Sequence, residues 1–123
     1  MVDIINISEK EYKDMTDFYN EKIDHVFINP YDEPNPTMIC HGGNGKVMFN
    51  GQQKTLNEIK EDVKKELNNN SKHFHLDVAC CYANQLSPEI NNDGIIIPRY
   101  KNDGILYCRY TKNKLFLSDY PIS

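Results

Sequence analysis

The chain has no long apolar run, no basic surplus and no spaced cysteine framework, and each absence removes a class of function. Nowhere does it approach the roughly 20 consecutive apolar residues that span a bilayer. Its opening stretch, MVDIINISEKEY, lacks the basic region and long apolar segment of an export signal. No membrane partner and a cytoplasmic location are therefore expected. Lys and Arg total 14 against 18 Asp and Glu, a formal charge of −4. No cationic stripe interleaved with aromatics is present to follow a phosphate backbone, so nucleic acid is not an expected partner. The four cysteines, Cys40, Cys80, Cys81 and Cys108, include an adjacent pair and lack the spacing of a disulfide-stapled domain. Reduced thiols are expected. No internal repeat is visible, and residues 1–123 are expected to form a single domain around one core.

What the chain does contain is an alternation of strand and helix patterns. After a short strand, DIINI, Ser8 with Glu11 forms a capping box and Ile7 with Tyr12 a hydrophobic staple, predicting a helix to about Lys22. HVFIN reads as a buried strand, with His25 at its start in a plain surface role. The proline-rich PYDEPNPT is a loop feeding a strand from Thr37 to Cys40, which Gly42, Gly43 and Gly45 break. KVMFNGQQK predicts a hairpin turning at Asn50-Gly51. Thr55 with Glu58 is a second capping box, opening a helix with Leu56, Ile59, Val63 and Leu67 on one face and ended by Asn68 to Asn70. A strand from Phe74 to Ala79 completes a strand-helix-strand unit. The tail, GIIIPRY, GILYCRY and KLFLSDY, reads as antiparallel strands turning at Asn102-Asp103-Gly104 and Lys112-Asn113. They extend the sheet or form a flap beside the site. The expected fold is α/β: a small, mostly parallel sheet with flanking helices and C-terminal antiparallel strands.

Two apolar strands end in reactive side chains, TMIC in His41 and FHLDVA in Cys80-Cys81. In a parallel sheet both ends fall on one edge, where open α/β folds form their ligand crevice. A cysteine attacks a carbonyl as thiolate, and a nearby imidazole both favours the thiolate and protonates the leaving amine. The oxyanion that results needs donors, which the backbone amides of the glycine-rich turn and of the cysteine itself supply.

The two stretches, Met38-Ile39-Cys40-His41-Gly42-Gly43 and Leu76-Asp77-Val78-Ala79-Cys80-Cys81-Tyr82-Ala83, resemble the signature of clan CD cysteine peptidases, the group of caspases, legumain, clostripain and gingipains. The resemblance covers about residues 37 to 84, with the intervening helix in its expected place. It implies a caspase-like three-layer core and a cysteine endopeptidase acting on a peptide or protein, without cofactor or metal. Carried over by position, His41 is the general acid/base, Cys80 the nucleophile, and the Gly42 and Cys80 amides the oxyanion donors. Cys81 stands as the alternative nucleophile, and Asp77 and Gly43 are substrate-pocket candidates. The chain is shorter than the usual catalytic domain of this group, so a homo-oligomer or a partner subunit is also expected.

Two other classes compete. His73, His75 and Asp77 share one face of a strand, the alternation a zinc hydrolase uses, with Cys80 or His41 available to complete the shell. Alternatively, the scaffold serves as a non-catalytic binding or regulatory protein, with Tyr100, Tyr107, Tyr110 and Tyr120 offering an interaction surface. Cys40 and Cys108 read as small buried hydrophobes.

Overall fold

The computed structural model describes residues 25–69, 74–91, 94–111 and 114–118. The strand DIINI, the helix from Ser8, His73 and the turn at Lys112-Asn113 lie outside these residues.

A five-stranded sheet forms the centre. In chain order its strands are β1 (His25–Ile28), β2 (Thr37–Cys40), β6 (His75–Ala79), β7 (Glu89–Asn91) and β8 (Gly94–Pro98). Their spatial order is β1-β2-β6-β8-β7. The inner strands β2, β6 and β8 run parallel, while β1 and β7 pair antiparallel at the two edges. Between β2 and β6 the chain makes a small antiparallel sheet, β3 (Gly42–Gly43), β4 (Lys46–Phe49) and β5 (Gln52–Lys54), and then helix α1 (Leu56–Glu66). A parallel pair requires such a crossover, because a tight turn can only return a strand antiparallel. The C-terminal strands β9 (Tyr107–Thr111) and β10 (Lys114–Ser118) pair antiparallel with each other.

The pattern of burial explains the layering. Every residue of β2 is buried, as expected of an inner strand covered on both faces. Met38, Cys40, Leu76, Val78 and Ile96 point to one side, where they meet Leu56, Ile59 and Val63 of α1 and Val47 and Phe49 of β4. Ile28, Ile39 and Ala79 point to the other and meet Leu106, Cys108, Leu115 and Leu117 of the C-terminal segment. Among the described residues, then, the expected flanking helices are one helix on one face and a β-hairpin on the other. The fold is mixed α/β with a partly parallel sheet. The C-terminal strands neither extend this sheet nor follow a hairpin turn from β8, because the segment at Asn102-Asp103-Gly104 is held by the loop after β6 instead.

The capping box at the start of α1 forms as read. Glu58 N donates to Thr55 Oγ1 at 3.3 Å and Thr55 N donates to Glu58 Oε1 at 3.0 Å. Hydrogen bonding from the Thr55 backbone first, and then from its side chain, holds the Glu58 carboxyl below its usual range, since the ionised form is the better acceptor. His25 departs from the surface role expected of it. It lies opposite Cys40 in the β1–β2 ladder. There it is buried, stacks on Phe49 with ring centroids 4.2 Å apart, and places Nε2 2.7 Å from Glu66 Oε2. An edge strand's first residue is covered here because the last turn of α1 and the end of β4 both cross above it.

Thr55→Ala removes the cap and is expected to lower unfolding free energy by about 1 kcal/mol. Ile59→Ala, at a fully buried position, is expected to cost about 2–5 kcal/mol. Urea denaturation of both variants checks the order of the two effects.

Candidate active site

Sequence chemistry shapes the chain immediately after β2. Asn44 and Gly45 both adopt left-handed φ values, 56° and 73°, and close β3 onto β4 as a two-residue hairpin turn. Asn50 and Gly51 repeat the device, at 51° and 79°, between β4 and β5. The glycine cluster after His41 is thus a strand and its turn. The ladder of this hairpin fixes where Gly42 points. Met48 N donates to the His41 carbonyl at 2.9 Å, and Gly43 faces Lys46 across the turn. Antiparallel pairs alternate between bonded and non-bonded, so the Gly42–Val47 pair between them is non-bonded. Its amide is therefore directed away from β4.

Through its α-carbon Gly42 meets the end of β6. A Cβ at Gly42 would stand 2.5 Å from the Cys81 carbonyl oxygen and 2.8 Å from Cys80 Sγ. No side chain larger than hydrogen fits. Gly43, one residue on, has nothing within 4 Å of the same construction. The backbone of β3 and the cysteine pair are thus in direct contact, with His41 exposed beside them.

The loop leaving β6 is anchored by the segment after β8. Tyr82, at φ 54°, begins a single 3-10 turn, Ala83–Gln85. Tyr82 N donates to Gly104 O at 2.8 Å and Asn84 N to Asn102 O at 2.9 Å. The buried Asn102 amide in turn donates to Gly104 O at 2.6 Å. Leu106 holds the second sulfur: its N–H lies 3.4 Å from Cys81 Sγ, and its carbonyl accepts from that thiol at 3.9 Å. From the other side, Gly45 N donates to Gln85 Oε1 at 3.2 Å.

All four cysteines are thiols, and the sheet divides them. Cys40 and Cys80 belong to the α1-side core, whereas Cys108 and Cys81 belong to the side covered by the hairpin. Cys80 is 2% exposed and Cys81 half-buried. Cys40 donates to or accepts from Cys80, and that hydrogen bond, followed by burial, holds its pKa well above the ordinary thiol range. Burial likewise raises Cys81, partly opposed by the Leu106 backbone.

The remaining candidates lie elsewhere. Asp77 is on the hairpin-side face, where its Oδ1 lies 3.0 Å from His75 Nε2. It lines a cavity of about 600 Å³ together with Glu33, Arg99 and Lys114. Arg99 Nη2 bonds Glu33 Oε1 there at 2.7 Å, while Nη1 is buried without a hydrogen-bond partner. His75 and Asp77 do share a face, as the zinc alternative requires. Among the described residues, however, no group of three or more His, Cys, Asp or Glu side chains could hold a metal ion. Sequence reasoning missed Leu106, Asn102 and the Arg99–Glu33 pair, all of which depend on long-range packing. It also missed the tie between Cys40 and Cys80, for which a signal existed: each is the residue immediately after an in-register pair. Compared with protein-family models, curated proteins and solved structures, the chain matches none.

Gly42→Ala is expected to cost about 1–3 kcal/mol by forcing the strand ends apart, and Gly43→Ala to stay within about 0.5 kcal/mol of wild type. Denaturant midpoints separate them. The raised thiols also predict an alkaline limit. A thiol whose pKa is higher in the folded than in the unfolded state contributes stability that is complete below the unfolded value, about 8.5, and is lost as pH rises. Melting temperature should therefore fall above about pH 8.5, and fall less in Cys40→Ala.

Proposed function

We propose that the chain is a cysteine-peptidase-like hydrolase in which Cys80 is the nucleophile, His41 the general acid/base and the amides of Gly42 and Cys80 the oxyanion donors. The observation that carries this reading is the contact of Gly42 with Cys80. β2 and β6 are parallel neighbours, and the residue after His41 lies so close to the Cys80 sulfur that only glycine is accommodated. The Gly42 amide is not spent on the β3–β4 ladder, so on this reading it serves as an oxyanion donor to a carbonyl attacked by that sulfur. In the reaction the Cys80 thiol transfers its proton to His41 and its sulfur bonds to the carbonyl carbon. His41 returns the proton to the leaving amine as the C–N bond breaks, and water then hydrolyses the thioester. Peptide or protein is the proposed substrate, and a caspase-like three-layer arrangement the proposed ancestral frame.

A different observation favours a second reading, a non-catalytic binding protein on the same scaffold. Cys80 is closed off from solvent, and the neighbouring Cys40 and Cys81 are held in their neutral forms. Substrate access under the first reading requires the turn at Cys81–Gln85 to shift, and under the second no such opening is needed.

Iodoacetamide labelling of each cysteine against pH, by peptide mass spectrometry, decides between them. The hydrolase reading expects Cys80 or Cys81 alone to label quickly below about pH 7, well under the ordinary thiol pKa of ~8.5, and to slow at least tenfold in His41→Ala. If all four label as buried or ordinary thiols irrespective of His41, the binding reading replaces it.

A further inference from the structure

Cys40 has no role in the chemistry proposed above, yet it is the thiol most closely tied to Cys80. The β2–β6 ladder runs parallel with Met38 opposite Val78 and Ile39 opposite Ala79. One step further brings Cys40 opposite Cys80, and both side chains face the α1-side core. Neighbouring strands lie about 4.8 Å apart, within the roughly 4.4–6.8 Å Cα separation that a disulfide spans. Cys80 is also the neighbour that most strongly raises the Cys40 thiol. Each is nearly sealed from solvent, Cys40 at 3% and Cys80 at 2% exposure, so each has the other as its nearest reactive partner. Gly42 leaves no space for the Cys80 sulfur to swing outward without moving backbone.

The other possible pairings are worse placed. Cys80 and Cys81 are adjacent in sequence but lie on opposite faces of the sheet. Cys81 is engaged by the Leu106 backbone on the hairpin side. Cys108 lies on that side also, separated from Cys40 and Cys80 by the sheet itself.

From this placement we infer that Cys40 and Cys80 form an oxidation site, closing a disulfide across β2 and β6 when the protein meets a small peroxide. The Cys80 thiolate attacks one peroxide oxygen, the O–O bond breaks, and a sulfenic acid and hydroxide result. The Cys40 sulfur then attacks the sulfenic sulfur, its proton and the departing hydroxyl leaving as water. With hydrogen peroxide, two thiols and one peroxide give one disulfide and two waters. A small oxidant suits the site because burial excludes bulky disulfides. The site goes beyond the hydrolase reading and does not depend on it. Where that reading holds, oxidation also removes the nucleophile reversibly.

The experiment treats the full chain with hydrogen peroxide at about pH 8, close to the ordinary thiol pKa. Remaining thiols are then alkylated under denaturing conditions, and non-reduced tryptic peptides are mapped. The expected product joins the peptide carrying Cys40 to the peptide carrying Cys80, with the loss of two hydrogen atoms and recovery by dithiothreitol. It should persist in the double variant Cys81→Ala, Cys108→Ala, whose two remaining thiols should both disappear from titration on oxidation. That variant keeps the test valid should Cys40→Ala fail to fold. A linkage through Cys81 or Cys108, or oxygenated monothiol products alone, overturns the inference. The labelling experiment reports on His41 separately: fast labelling without the Cys40–Cys80 linkage overturns this inference alone, and the linkage without fast labelling overturns the hydrolase reading alone.

Discussion

The parallel pairing of β2 with β6 is the constraint on which the rest of the structure depends. Its ladder of Thr37 with Asp77, Met38 with Val78 and Ile39 with Ala79 sets both which side chains enter each core and which residues meet at the strand ends. A parallel pair cannot be closed by a turn, so the chain between the strands has to cross over, and the crossover supplies β4 and α1 to cover one face. The apolar positions of α1 then have a surface made by alternate residues of β2, β6 and β8. A one-residue slip would send Met38, Cys40, Leu76 and Val78 to the opposite face and leave Leu56, Ile59 and Val63 without partners. Register, helix packing and the position of the cysteines are therefore one decision.

The contact at Gly42 has two consequences that pull against each other. It brings an amide, a thiol and the backbone after His41 into one place, which is what acyl transfer demands. The same closeness covers the sulfur. On the hydrolase reading a substrate has to reach Cys80 past the turn at Cys81–Gln85, and that turn is bonded to residues 102–106 and to Gly45. Reading Asn102-Asp103-Gly104 as a simple hairpin turn overlooks these bonds, because it assigns the segment to its neighbours in sequence when its hydrogen bonds go to the loop after β6.

Those parts of the fold that rest on local chemistry were legible in the sequence. The Thr55–Glu58 capping box concerns residues three apart, and the Asn50-Gly51 turn concerns two adjacent residues with left-handed φ. The parallel β2–β6 pair was legible too, because a strand-helix-strand pattern has few alternatives. His25 was not. Its partner Glu66 lies 41 residues further along, at the end of α1 on the far side of the crossover. The hairpin β9–β10 has the right strand pattern, but alternation alone does not say whether a strand joins a sheet edge or lies across its face. At the site, the convergence of β2 and β6 was readable, whereas the seal over Cys80 was not, since it arises from Gly42 meeting a residue 38 positions away in the chain.

The doubled cysteine shows how residue parity in a strand can outweigh closeness in sequence. Cys80 and Cys81 share a peptide bond, yet just past the end of β6 they enter different cores. Cys80 meets Cys40 from a different strand, and that neighbour, followed by burial, holds the Cys40 thiol above its ordinary range. Cys81 meets a backbone N–H and carbonyl and retains partial access to solvent. Chemically they are not interchangeable. A thiol with a sulfur neighbour on the facing strand has a partner with which to close a disulfide, whereas Cys81 is held by backbone groups instead. The sheet, by separating the two, allows one sequence position to respond to oxidation and the next to remain a thiol.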